Sequence, residues 1–165
     1  MTGSCAKFTE NMFPRRKIDI EEVINYIQKS SMESKIYIGC DSETFMKKEK
    51  CYARYCTVVV IHINGCNGGK VFYDISEELN YDTRKQRPKN RLLNEAIKSV
   101  ELFQKLENYI NGRHVEIHLD INTNEKFASS QIAQQAIGYI LGNCGIKPKL
   151  KPHGFAATSV ADKFV

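Results

Sequence analysis

At 165 residues, with 42% hydrophobic and 26% charged residues, the chain can build one globular domain with a core large enough to need no disulfide or metal staple. The longest apolar run, Thr57 to Ile63, is too short to cross a bilayer, and the N-terminus has no apolar signal core, so a cytoplasmic protein is expected rather than a membrane or secreted one. The six cysteines contain no CxxC pair, which suits reduced thiols, and the net charge of +5 leans toward a polyanionic partner.

Residues 1–17 read as an irregular leader with a basic end, and residues 18–165 as a single domain. Asp19 followed by Glu22 marks a helix start, and Ile20, Val23, Ile24 and Ile27 recur at helical spacing, predicting a helix over Ile20 to Lys29. The stretch KIYIGCDSE, Lys35 to Glu43, then drives an apolar strand into Asp41, Ser42 and Glu43. Taken alone, Asp41-Ser42 reads at least as well as the cap of a turn. Tyr55 to Ile63 is a strand by its Val and Ile content, Asn64 to Gly69 turns the chain, and Val71 to Tyr73 returns, so three antiparallel strands open the sheet. Phe45 to Lys50 is expected as a loop, and Ser76 to Lys89 as a long polar one.

Pro88 and Gly112 bracket the longest helix, with Leu92, Ala96, Val100, Phe103, Leu106 and Ile110 on one stripe. Glu95 falls on the edge of that stripe in the first turns, on the side of the strand end carrying Asp41; a first-turn acid favoured by the helix dipole would look the same. HVEIHLD, His114 to Asp120, alternates strictly and ends on an acid. A helix follows with Ile132, Ala133, Ala136, Ile137, Ile140 and Leu141 inward, stopped by Gly142 and Gly145. Ile146 to Lys151 reads as a last short strand. After Pro152 and the His153-Gly154 turn, Thr158 or Ser159 is placed as the cap of a terminal helix bearing Asp162.

That order is an α/β, ribonuclease H-like topology: a mixed five-stranded sheet with three antiparallel leading strands, flanking helices and an extra N-terminal helix. Asp41, Glu95, Asp120 and Asp162 then fall on the first sheet strand, the first crossover helix, the end of the fourth strand and the last helix. Carboxylates gathered in this way repel one another unless divalent cations neutralise them. A pair of Mg²⁺ or Mn²⁺ ions about 4 Å apart is the arrangement that hydrolyses a phosphodiester.

The segments IYIGCDSE, HVEIHLDIN and KPHGFAATSVADKF resemble the predicted ribonuclease H-like family called YkuK, over Phe13 to the C-terminus. The resemblance implies a metal-dependent nuclease with Asp41, Asp120 and Asp162 as ligands, whereas Glu95 rests on helix phase. That family often places a glutamine where this chain has Glu43. Asp41-x-Glu43-Thr44 also resembles the first motif of DEDD-type exonucleases, which makes Glu43 a candidate additional ligand, although the spacing of that family's later motifs is missing. His153 stands in the loop before the last acid, where ribonucleases H carry a histidine that helps move product or protons; an exposed loop histidine is the plainer reading. His118 reads as packing, while Ser42 and Asn122 are placed to support the site.

Nucleic acid, whether RNA, DNA or hybrid, is the expected partner. Arg84, Lys85, Arg87, Lys89 and Arg91, with Lys149 and Lys151, are the expected phosphate contacts. Two other functions fit less well. A non-catalytic binding module would have no use for four acids, and an aspartate-nucleophile phosphatase would want an aspartate where Glu43 stands.

Overall fold

The structure is a computed structural model that describes residues 16–65, 67–82, 89–122 and 130–164. The elements in chain order are β1 (Arg16–Lys17), α1 (Ile20–Lys29), β2 (Lys35–Lys47), β3 (Lys50–His62), β4 (Gly69–Leu79), α2 (Lys89–Ile110), β5 (His114–Leu119) and α3 (Ser130–Cys144), followed by a terminal helical segment over 156–163. No helix among the described residues is long and apolar enough to cross a membrane.

The sheet runs β1-β4-β3-β2-β5. The β2–β3 and β3–β4 pairs are antiparallel, and β5 joins β2 in parallel. This is the mixed sheet expected from the meander and the crossover helix, but its fifth member is the two-residue β1 beside β4, not a strand over 146–151. That stretch meets β5 through a single bridge, His118 to Lys149. Pro148 interrupts it and Pro152 follows it, and a residue with no amide hydrogen cannot extend a ladder.

The three leading strands are longer than their apolar runs. β2 does not leave the sheet at Glu43: it continues to Lys47, turns through Lys48 and Glu49 at positive φ (49° and 61°), and returns as β3 from Lys50. β4 likewise extends to Leu79, opposite Tyr52, so the expected loop from Ser76 begins only after it.

Alternation along β2 divides the core. Ile36 and Ile38 join Val59, Ile61, Phe72 and the buried sides of α1, α2 and α3 on one face. Tyr37, Cys56, Val58, Val60 and Val71 meet Ala156 and Ala161 of the terminal segment on the other. In α3, Leu141 is exposed rather than inward, and Gly142 lies inside the helix, which ends at Gly145 (φ 66°). The terminal segment starts at Ala156, and the Thr158 hydroxyl donates to the Gly154 carbonyl within it instead of capping a later helix.

Arg113 ties the far end of the α2 face. Buried beneath α1, its guanidinium donates to the carbonyls of Ser30, Ser31 and Ile110, satisfying carbonyls at the ends of two helices with one side chain.

Candidate active site

Asp41 sits in β2 opposite Cys56, on the face that carries the terminal segment. Gly39, two residues earlier on that face, sets the approach. A Cβ there would lie 2.6 Å from the Ala157 nitrogen and 2.8 Å from the Ala156 carbonyl carbon, so only glycine lets the segment rest on the strand. Gly154 has the same role at its entry, where a Cβ would stand 3.0 Å from the carbonyl oxygens of both Leu119 and Lys149.

Burial pushes the Asp41 carboxyl up to about 7, and the charges of Asp120 and Asp162 add to the push against a backbone hydrogen bond from Ser42 and the Arg91 guanidinium. Glu95 enters from α2 and is fully buried. Its carboxyl is also held well above the usual range, first by burial, while the Ser42 hydroxyl bond pulls it back and Asp41 raises it further. The Ser42 hydroxyl donates to Glu95 Oε1. Arg91, one turn before Glu95, donates to the Ser42 carbonyl and hydroxyl and lies 3.5 Å from the same Glu95 oxygen. Glu95 Oε2 is buried without a hydrogen-bond partner.

The start of α2 that carries Arg91 and Glu95 is held by Asp82, whose two carboxylate oxygens accept from the amides of Asn90 (2.8 Å) and Arg91 (3.1 Å). This buried acid caps the helix from outside its own sequence neighbourhood. Reading the sequence missed it because a capping acid is sought next to the helix. Pro88, the expected first-turn residue, lies outside the described residues.

Asp120 follows the end of β5, half-buried, with the Lys151 ammonium 3.1 Å from its Oδ1. Asp162 lies on the terminal segment and is exposed. Glu43 shares the strand face of Asp41, since the strand does not turn there, and is exposed and ion-paired with Arg54 at 3.4 Å. His153 is exposed in the turn before the terminal segment, its amide bonded to the Leu150 carbonyl. Asn122 is half-buried just beyond Asp120.

His118 is buried and serves as packing. Its Nδ1 accepts from the Ala156 amide, which leaves Nε2 to donate to Glu116 at 2.9 Å, and burial lowers its pKa. Tyr37 and Phe155 close around the ring.

Of the expected phosphate contacts, Lys89 and Lys149 are exposed, with Lys149 4.0 Å from Glu116. Arg91 and Lys151 are turned toward the acids Glu95 and Asp120 instead. Arg84, Lys85 and Arg87 lie outside the described residues.

Among the described residues, no three His, Cys, Asp or Glu side chains converge closely enough to grip an ion by themselves. The carboxylates are turned to resident partners: Glu95 to Ser42 and Arg91, Asp120 to Lys151. The donor set nonetheless fits a hard divalent cation. It is all carboxylate oxygen, its buried members are held at raised pKa first by burial and then by the charge of neighbouring acids, and Glu95 Oε2 has nothing to accept from.

A family model described as Ribonuclease H-like matches residues 19–165. The chain belongs to the ribonuclease H-like family. This is the family that the IYIGCDSE, HVEIHLDIN and KPHGFAATSVADKF segments resemble. No curated protein and no solved structure matches the chain. In this ribonuclease H-like protein, Asp41, Glu95, Asp120 and Asp162 stand on the first sheet strand after α1, on the crossover helix, after the parallel strand and on the terminal segment. β5 pairs with β2 in parallel, and α2 and the terminal segment both pack against these two strands.

Proposed function

We propose that this ribonuclease H-like protein is a metal-dependent nuclease that hydrolyses phosphodiester bonds of RNA or DNA at Asp41, Glu95, Asp120 and Asp162. The observation that supports it is the burial of Asp41 and Glu95 beside each other's charge, with one Glu95 oxygen left without a donor. Burying like charges is costly, and a bound cation offsets that cost. Asp41, Glu95, Asp120 and Asp162 would hold Mg²⁺ or Mn²⁺, a pair of ions in this reading, with Glu43 as an additional ligand on the Asp41 strand. When bound, the ions supply an activated water and a Lewis acid for the leaving oxygen.

The chain's own residues supply the rest. Ser42 and Arg91 fix the Glu95 carboxylate, Gly39 lets the terminal segment bring Asp162 over β2, and His153 at the mouth of that segment moves a proton or the product. Lys89 and Lys149 contact phosphates.

A second reading, a module that binds nucleic acid without cutting it, draws on the Lys151–Asp120 and Arg91–Glu95 pairs, which neutralise two of the acids internally. One experiment separates the two. Labelled single-stranded and duplex RNA and DNA are incubated with Mn²⁺ or Mg²⁺ and either the natural protein or Asp41→Asn. The nuclease reading expects cleavage that EDTA and Asp41→Asn each abolish. Binding without cleavage of any substrate establishes the module instead.

A further inference from the structure

Beyond Asp41 the meander continues as a three-stranded extension, and its register sorts the face on which Asp41 lies into rows. Next after Asp41 comes Glu43–Arg54–Glu77, then Phe45–Tyr52–Leu79, then Lys47–Lys50 at the tip. At about 3.3 Å per residue, Phe45 stands roughly 13 Å along the strand from Asp41.

The chemistry changes row by row. In the first, the acids are answered by cations: Arg54 bonds Glu77 at 2.9 Å and reaches Glu43 at 3.4 Å, and Lys47 adds to Glu77 at 3.8 Å. The second is largely apolar and partly exposed, its two rings half-buried. The Phe45 and Tyr52 rings stack with centroids 5.8 Å apart and planes 25° from parallel, Arg54 lies 4.9 Å from the Phe45 centroid, and Leu79 is 39% exposed. The third is a pair of exposed lysines, with Lys48 in the turn beside them. On the opposite face the same strands are packed as far as Ala53 and Tyr55 beneath α2, where Asn94 bonds the Tyr55 hydroxyl and Lys98 lies over its ring.

We infer that this extension seats an unpaired, single-stranded segment of the nucleic acid, its bases stacked on the Phe45–Tyr52 row and its phosphates on the tip lysines; the inference rests on the nuclease reading above. An aromatic row accepts a base only when that base is free of its own helical stack, so the surface selects single strands over duplex. The lysines act on the backbone of either. Charge decides against a second copy of this chain as the occupant. Lys47, Lys48 and Lys50 outnumber Glu49 at the tip, and this net positive charge disfavours another such tip and attracts a polyanion.

The test is fluorescence anisotropy of labelled oligothymidylate, oligouridylate and a duplex of equal length, with Asp41→Asn protein in EDTA so that nothing is cut. Phe45→Leu with Tyr52→Leu keeps the row apolar and removes the rings. It should weaken single-strand binding by about tenfold or more and leave duplex binding within about twofold. Lys47→Glu with Lys50→Glu should flatten the salt dependence for both substrates. Far-UV circular dichroism confirms that each variant is folded, and the single substitutions Phe45→Leu and Tyr52→Leu repeat the measurement if the double variant is not. Unchanged single-strand affinity in the leucine variants overturns the inference while leaving metal-dependent cleavage to stand on its own. Loss of stacking-dependent binding in a protein that cuts nothing keeps the seat and sinks the nuclease. A wild-type dimer in sedimentation that the leucine variants dissolve, with single-strand binding intact, assigns the row to self-association and overturns the inference as well.

Discussion

Asp41 is costly to the fold that holds it. Its carboxyl is raised from an ordinary 3.8 to about 7, so without a cation the folded chain holds a proton that the unfolded chain releases between those values. The stability that this carboxyl contributes is therefore fully present below about pH 4 and is lost as pH rises toward 7. Asp41→Asn removes the penalty, and its melting temperature in EDTA at pH 8 should exceed that of the natural protein by the equivalent of about 2 kcal/mol, with the gap closing toward pH 4. A destabilised Asp41→Asn at pH 8 would mean that the carboxylate holds structure rather than a cation. His118 acts in the opposite sense. Its lowered pKa keeps it neutral in the fold, so its contribution is intact above the ordinary 6.5 and is lost as pH falls below it. His118→Leu should strand the Ala156 amide, lower the urea midpoint by the equivalent of about 2 kcal/mol, and flatten the fall of stability as pH drops below 6.5. Unaltered pH dependence in that variant would assign the titration elsewhere.

At the scale of elements, the decisive contact is the terminal segment against β2. Gly39→Ala drives a methyl group into the backbone of Ala156 and Ala157, and the segment must move away with Asp162. The expected result is a loss of about 2 kcal/mol or more in denaturant and at least a tenfold loss of cleavage; wild-type cleavage by a folded Gly39→Ala protein would place Asp162 outside the reaction. Much of this layer is legible in the sequence. IGCDS carries its glycine and its acid at alternate positions of one strand, and the stripe from Leu92 to Ile110 fixes the phase of Glu95. The extension past Glu43 is not legible. Thr44 to Lys50 has only Phe45 and Met46 as apolar residues, and its turn at Lys48-Glu49 has neither Gly nor Asn to announce two positive φ values. Pairing with Tyr52 and Leu79 makes it a strand, and pairing is a tertiary fact. The 146–151 stretch errs the other way: its alternating lysines imitate a strand that the prolines forbid. Arg91 shows a similar limit, because composition places it among surface cations and only the helix start held by Asp82 turns it onto Glu95.

Taken as one molecule, the proposed nuclease would couple its stability to the ions its acids would hold. A ligand that binds only the folded state adds RT ln(1 + [L]/Kd), about 2.7 kcal/mol at a hundredfold excess over Kd. Mn²⁺ should therefore raise the melting temperature in proportion to log concentration, Asp120→Asn should shrink the rise, and EDTA should erase it. A melting temperature indifferent to Mn²⁺ would remove metal from the account of this fold. The failed strand over 146–151 has a use at the same scale. Its two hydrogen bonds, Leu119 amide to Lys149 carbonyl and Lys149 amide to Ile117 carbonyl, take up the last residues of the outer edge of β5. Residues flanked by Pro148 and Pro152 offer no continuous ladder of their own to the next chain. The end of β5 at Ile117 and Leu119 is thereby covered against edge-to-edge growth, so the features that keep 146–151 from becoming a strand also work against aggregation there.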